Sequence, residues 1–190
     1  MIHLVWFGLG IEEAHKTKDA WQQIHPDLSV KLWTTPTEEA FSIFESTRKL
    51  VITKDHARHL SNLTRYSLLY EFGGYYVDCD TIPLAPITTL GLGPWSASMR
   101  GRPEGAFLAS PPRSQWMRSV IDRCAGFRSS TETTAPKASG SKALLDVHLK
   151  ERNAKLIPAG VLFSTDRFGR PNKQASVQIA DHKWQTSSAR

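Results

Sequence analysis

The strongest constraint in this chain is one uninterrupted passage. A helical stretch from His56 to Phe72 stops at Gly73-Gly74, and the apolar run Tyr75-Tyr76-Val77 then ends in Asp78-Cys79-Asp80. Leu60, Leu63, Leu68 and Leu69 give the helix an apolar side, and Gly73 supplies its stop. A helix feeding directly into a buried strand implies an α/β sheet rather than a bundle or a sandwich. Two carboxylates at the end of an apolar strand are costly to bury without compensation. In a strand, residues i and i+2 point to the same face, so Asp78 and Asp80 are expected to meet one hard divalent cation, Mg²⁺ or Mn²⁺. Such a site belongs outside the carboxyl ends of the strands. The plainer alternative is an exposed Asp-rich turn.

The flanking sequence extends the same pattern. Ile2 to Phe7 reads as a first buried strand rather than a signal peptide, because it has neither a basic leader nor a small-residue cleavage site. Helices are expected over Glu12 to Gln23 and Thr37 to Lys49, with a strand from Val30 to Trp33 between them. Further strands are expected at Trp95 to Met99, Ala106 to Ala109, Lys155 to Ile157, Val161 to Phe163 and Val177 to Ala180. Helices are expected at Pro112 to Cys124 and Lys142 to Lys150. The polar residues 126–141 read as a mobile loop. At 190 residues the simplest organisation is one domain over 1–190. No stretch approaches the roughly 20 apolar residues of a membrane span. Two cysteines form no disulfide framework and fit a reduced, cytoplasmic setting. Charge is uneven: residues 1–99 hold 8 Lys/Arg against 11 Asp/Glu, and residues 100–190 hold 16 against 7. The basic half suits an anionic partner, nucleic acid included, or a solvated surface.

Three separated motifs then carry a family resemblance. Ser61-Asn62-Leu63-Thr64-Arg65-Tyr66, followed by Gly73-Gly74-Tyr75-Tyr76-Val77-Asp78-Cys79-Asp80, resembles the glycosyltransferase family with the DXD sugar-binding region, which includes yeast α-mannosyltransferases and the clostridial glucosylating toxins. Ile2-His3-Leu4-Val5-Trp6-Phe7-Gly8 looks like that family's first strand, and Asp181-His182-Lys183-Trp184 is similar to its terminal His-x-Trp element. The resemblance implies a GT-A-like nucleotide-diphospho-sugar transferase fold, with a central, mostly parallel mixed sheet flanked by helices. It places a nucleotide-binding part over about 1–85 and an acceptor-side, closing part over about 86–190. It further implies a metal-dependent, retaining transfer of a hexose from a UDP- or GDP-sugar to an acceptor the sequence does not identify; the basic second half makes modified DNA one candidate.

The resemblance assigns catalytic roles to Asp78, Asp80 and Arg65. Donor binding falls to Trp6, Asn62, Arg65, Tyr76, Asp78 and Trp184, and metal binding to Asp78, Asp80 and His182. One departure stands out: the family pattern has Asp where this chain has Asn62. Asparagine still hydrogen-bonds hydroxyls but carries no charge, which leaves the donor sugar open. Two other readings compete. Val77-Asp78-Cys79-Asp80-Thr81 nearly fits a haloacid dehalogenase-type phosphatase, although that motif normally opens its domain. A non-catalytic nucleotide- or nucleic-acid-binding module on a degenerate transferase fold would account for Asn62 and the basic half.

Overall fold

The computed structural model describes residues 1–8, 10–163 and 178–182, His182 by its backbone alone. Strand β1 (Ile2–Val5) pairs in parallel with both β2 (Val30–Trp33) and β3 (Gly74–Val77). On its far side β3 pairs antiparallel with β6 (Arg102–Ser110), β6 pairs antiparallel with β5 (Trp95–Met99), and β5 pairs parallel with β7 (Lys155–Pro158). The sheet order is therefore β2-β1-β3-β6-β5-β7. A second, two-stranded sheet joins β4 (Thr81–Pro83) to β8 (Ala180–His182).

Helix α1 (Ile11–Ile24) carries the chain from β1 to β2. Helices α2 (Glu38–Thr47) and α3 (His56–Phe72) carry it back past β1 to β3. The strand order thus reverses between β1 and β3, and in open α/β sheets that crevice is where ligands bind. Strand alternation divides the core into two layers. Ile2 and Leu4, Tyr75 and Val77, and Phe107 and Ala109 face α1 through Trp21, whereas Val5, Tyr76 and Leu108 face Leu63, Tyr66 and Leu69 of α3. On the α3 side α4 (Gln115–Ala125) and α6 (Ser141–Glu151) complete the layer.

The hinge from α3 into β3 needs glycine twice. Gly73 has φ 64° and Gly74 φ 101°, and a Cβ at either would collide with Pro112 or with the Met1 carbonyl. His3 staples the same corner: one ring nitrogen donates to Gly73 O (2.9 Å), and the other accepts from Trp33 Nε1 (3.1 Å).

Two expectations from the sequence require correction. Residues 126–141, read as a mobile loop, contain the short helix α5 (Ala135–Ala138). Ala135 and Ala138 are buried with Val51, and Ser139 is buried beside His59. Small and polar residues anchor this segment, so its composition resembles a solvated loop. Val161 to Phe163, expected as a strand, falls largely within the helical turn α7 (Ala159–Leu162), with Phe163 alone bridging to Ala180. That apolar run was too short for periodicity to separate the two states. No described helix is long and apolar enough to cross a membrane.

His3 and His59 are fully buried, and desolvation pulls both down to about 4 from the ordinary 6.5. Both are neutral in the fold and would gain protons on unfolding. Their contribution is fully present above pH 6.5 and is lost as pH falls from there toward 4. Urea denaturation is expected to show stability lower by about 4 kcal/mol at pH 5 than at pH 7.5. An unchanged midpoint across that interval would contradict neutral burial of the two rings.

Candidate functional site

A cleft of about 510 Å³ opens at the carboxyl ends of β1 and β3, at the strand-order reversal. Trp6, Asn62, Arg65, Tyr76, Asp78 and Asp80 all line it. Each comes from a different local rule. Trp6 follows the last residue of β1, and its backbone N–H still reaches Trp33 O (2.9 Å). Asn62 and Arg65 lie three apart on α3 and so share one helix face. Tyr76 points to the cleft side of β3, and Tyr75 packs into the opposite layer against Trp95.

Asp78 and Asp80 do not sit in a strand. β3 ends at Val77, and residues 78–80 form a turn into β4. The expected mechanism for aiming both carboxylates the same way is therefore replaced by a braced turn. Asp78 N donates to Ala106 O (3.0 Å), and Thr81 Oγ1 donates to Asp78 O (2.7 Å). Helix α1 holds the rest: Thr17 Oγ1 donates to Cys79 O (2.7 Å), and Trp21 Nε1 donates to Thr81 Oγ1 (3.1 Å). Cys79 turns inward, its thiol reaching Val5 O at 3.4 Å. Burial first, and the charge of Asp78 next, push that thiol up to about 12, so it is no nucleophile at neutral pH.

The electrostatic centre is Arg65. Only 7% exposed, it pairs with Asp78 Oδ1 at 3.1 Å and donates to Gly105 O at 2.7 Å and Ser61 Oγ at 3.3 Å. Its guanidinium also lies 4.3 Å from the centre of the Tyr76 ring. Burial works against its charge, but the fields of Tyr76 and Asp78 outweigh it and hold the guanidinium above its ordinary value. Tyr76 donates its hydroxyl to the same Asp78 oxygen (2.7 Å). The Asp78 carboxylate is thus fixed from two directions.

Sequence reasoning missed Glu104, which lines the cleft from β6 next to Gly105. Burial, and then the nearby charge of Asp78, raise its carboxyl above the usual range. No local motif marks Glu104; only the pairing of β6 with β3 brings it to the site. Among the described residues no three His, Cys, Asp or Glu side chains form a group able to hold a metal ion. Two carboxylates nonetheless fit a hard cation of the Mg²⁺ type, which takes one or two protein carboxylates and completes its shell with substrate phosphates and water. The side chain of His182 and all of Trp184 lie outside the described residues.

Residues 12–98 match the family model described as "Glycosyltransferase sugar-binding region containing DXD motif". That span includes Asn62, Arg65, Tyr76, Asp78 and Asp80, while Trp6 and Glu104 fall outside it. An uncharacterised protein of Arabidopsis thaliana is 38% identical over 65 residues, which is 34% of this chain and 10% of that protein. The chain therefore spans a small fraction of the curated relative it matches. Among solved structures, the PaToxG glycosyltransferase superposes with a TM-score of 0.64 at 15% identity, covering 79% of this chain and 67% of that one. The galactosyltransferase LgtC, in complex with donor and acceptor sugar analogues, superposes with a TM-score of 0.55 at 13% identity, covering 95% and 86%. The ligand-free glycosyltransferase domain of the YGT toxin gives 0.56 at 9% identity, covering 82% and 79%. The fold is the GT-A type of the glycosyltransferases, with the expected mixed, mostly parallel sheet flanked by helices.

Removing the Arg65 charge leaves Asp78 and Tyr76 facing each other in a poorly hydrated corner. Arg65→Met is expected to cost about 2–4 kcal/mol in urea denaturation, since breaking one side of a buried pair strands the other. A loss below about 0.5 kcal/mol would show that the pair does not organise this corner.

Proposed function

We infer that this chain, whose residues 12–98 match the glycosyltransferase sugar-binding region containing the DXD motif, is a glycosyltransferase that moves a hexose from a UDP- or GDP-sugar with the help of a divalent metal. The observation that carries the reading is convergence. Asp78, Asp80, Arg65, Asn62, Tyr76 and Trp6, drawn from two strand ends and one helix, line a single cleft at the strand-order reversal of a GT-A fold.

The geometry supports the following division of labour. Asp78 and Asp80 would hold Mn²⁺ or Mg²⁺ against the donor diphosphate. When bound, that ion neutralises charge developing on the leaving diphosphate. Tyr76 and Arg65 orient Asp78, because both act on the same carboxylate oxygen. Arg65 is itself fixed by Gly105 and Ser61, so its positive field is in place before the substrate arrives, which is the economical form of electrostatic catalysis. The Trp6 indole offers a flat wall for the nucleotide base. Asn62 faces the sugar, and Glu104 is the carboxylate positioned to accept from a sugar or acceptor hydroxyl. Retention of anomeric configuration by front-face displacement comes from the family resemblance. His182 and Trp184 carry their donor-side roles from the resemblance alone.

Binding to the native state raises stability by mass action, by about 2.7 kcal/mol at a hundredfold excess over Kd. For a chain of this size that corresponds to a Tm increase of roughly 5–10 °C. Thermal melts with UDP, GDP and their sugars are expected to show such a shift for one nucleotide, and only with Mn²⁺ or Mg²⁺ present. Asp80→Ala is expected to abolish the metal-dependent shift while circular dichroism stays native. An undiminished shift in that variant would remove the metal assignment.

A further inference from the structure

Asn62, the position at which the chain departs from the family pattern, is tied into a buried polar chain whose proton directions follow from the one group in it that can only accept. Thr47 Oγ1 lies 2.7 Å from Ile43 O, and a carbonyl can only accept, so the Thr47 proton is committed there. Thr47 must then accept from the ring nitrogen Nε2 of His59 at 2.8 Å. The ring is fully buried, and the charge of His56 on its own helix acts on it repulsively. Phe44 and Thr47 of α2 and Ser139 meet it from other elements, and none of these is charged. The neutral ring therefore carries its proton on Nε2 and accepts at Nδ1, from Ser139 Oγ at 2.7 Å. With its own proton used, Ser139 Oγ can only accept from Asn62, at 3.2 Å, and that donor is the amide Nδ2. Tyr66 holds the Ser139 carbonyl from the other side (2.8 Å).

We propose that Ser139, through this chain, is the positioning residue that sets how Asn62 meets the donor sugar. One N–H of the Asn62 amide is held by Ser139 Oγ, which fixes the amide plane at the cleft wall and leaves the neutral carbonyl oxygen Oδ1 as an acceptor for a sugar hydroxyl. The sugar role rests on the function proposed above. An aspartate at 62 has no proton to give Ser139, whose single O–H is already directed at His59. The neutral amide is thus matched to the proton direction of the buried chain. Residues from α2, α3 and the segment after α5, far apart in sequence, cooperate to fix one amide plane at the cleft wall.

Nitrogen-15 NMR of the wild-type histidine rings reads the chain directly. His59 is expected as the Nε2–H tautomer near neutral pH, and an Nδ1–H tautomer overturns the inference. Asn62→Asp is expected to reverse the chain, with His59 donating from Nδ1 through Ser139 to the carboxylate. The His59 titration should then rise from about 4 to above its ordinary 6.5. A value still near 4 in a folded variant overturns the stated direction. Ser139→Ala frees the Asn62 amide. It is expected to weaken binding of the nucleotide sugar about three- to tenfold, the worth of one neutral hydrogen bond, and to leave the bare nucleoside diphosphate unchanged. Equal weakening of both, or none of the sugar, overturns the positioning role. If the wild type binds no nucleotide at all, the proposed function fails and the sugar role with it, whereas a wrong tautomer defeats this inference alone.

Discussion

The site depends on one buried cation. Arg65 sits on α3 yet reaches the end of β3 through Asp78 and the bulged part of β6 through Gly105 O. Burying a guanidinium is expensive, and only close hydrogen-bonded partners offset it. Here those partners are the same groups that shape the cleft. Asp78 cannot swing without stranding Arg65, and Tyr76 cannot move without losing both the Asp78 oxygen and the guanidinium above its ring. The cost of the buried charge thereby becomes rigidity for one carboxylate of the Asp78-Cys79-Asp80 turn.

The other half of that rigidity comes from the opposite face of the sheet. Thr17 and Trp21 of α1 hold the turn backbone and Thr81, while Cys79 plugs inward toward β1. The two acids thus rest on a loop braced from both layers of the core. A loop so fixed holds its backbone, and the Asp78 carboxylate with it, in one geometry, the preorganisation that electrostatic catalysis relies on.

Much of this was legible in the residues. The helix from His56 to Phe72, its glycine stop and the strand running into the acids follow from periodicity and turn chemistry, and the structure has the same helix bounds. The grouping of Asn62 with Arg65 follows from helical spacing. What local sequence could not supply were partners distant along the chain. Glu104 enters only because β6 pairs with β3, and Ser139 enters only because α5 packs under α3. The segment around Ser139 looks like a solvated loop because alanine and serine fill its buried positions, which leaves no apolar pattern to read. The turn at Asp78 looked like a strand for the opposite reason, since an apolar run extended to its first residue.

The proposed role of the Asp78-Cys79-Asp80 turn beside the buried Arg65 is transfer from a nucleotide sugar. The most direct measurement is turnover itself: incubation of the purified chain with UDP- and GDP-hexoses and Mn²⁺, with the nucleoside diphosphate and the released or transferred sugar quantified by chromatography. One donor is expected to be converted, with conversion stopping on chelation of the metal and lost in Asp80→Ala. Tight, metal-dependent binding of a nucleotide with no conversion of any donor would contradict it and leave a binding module on a transferase fold.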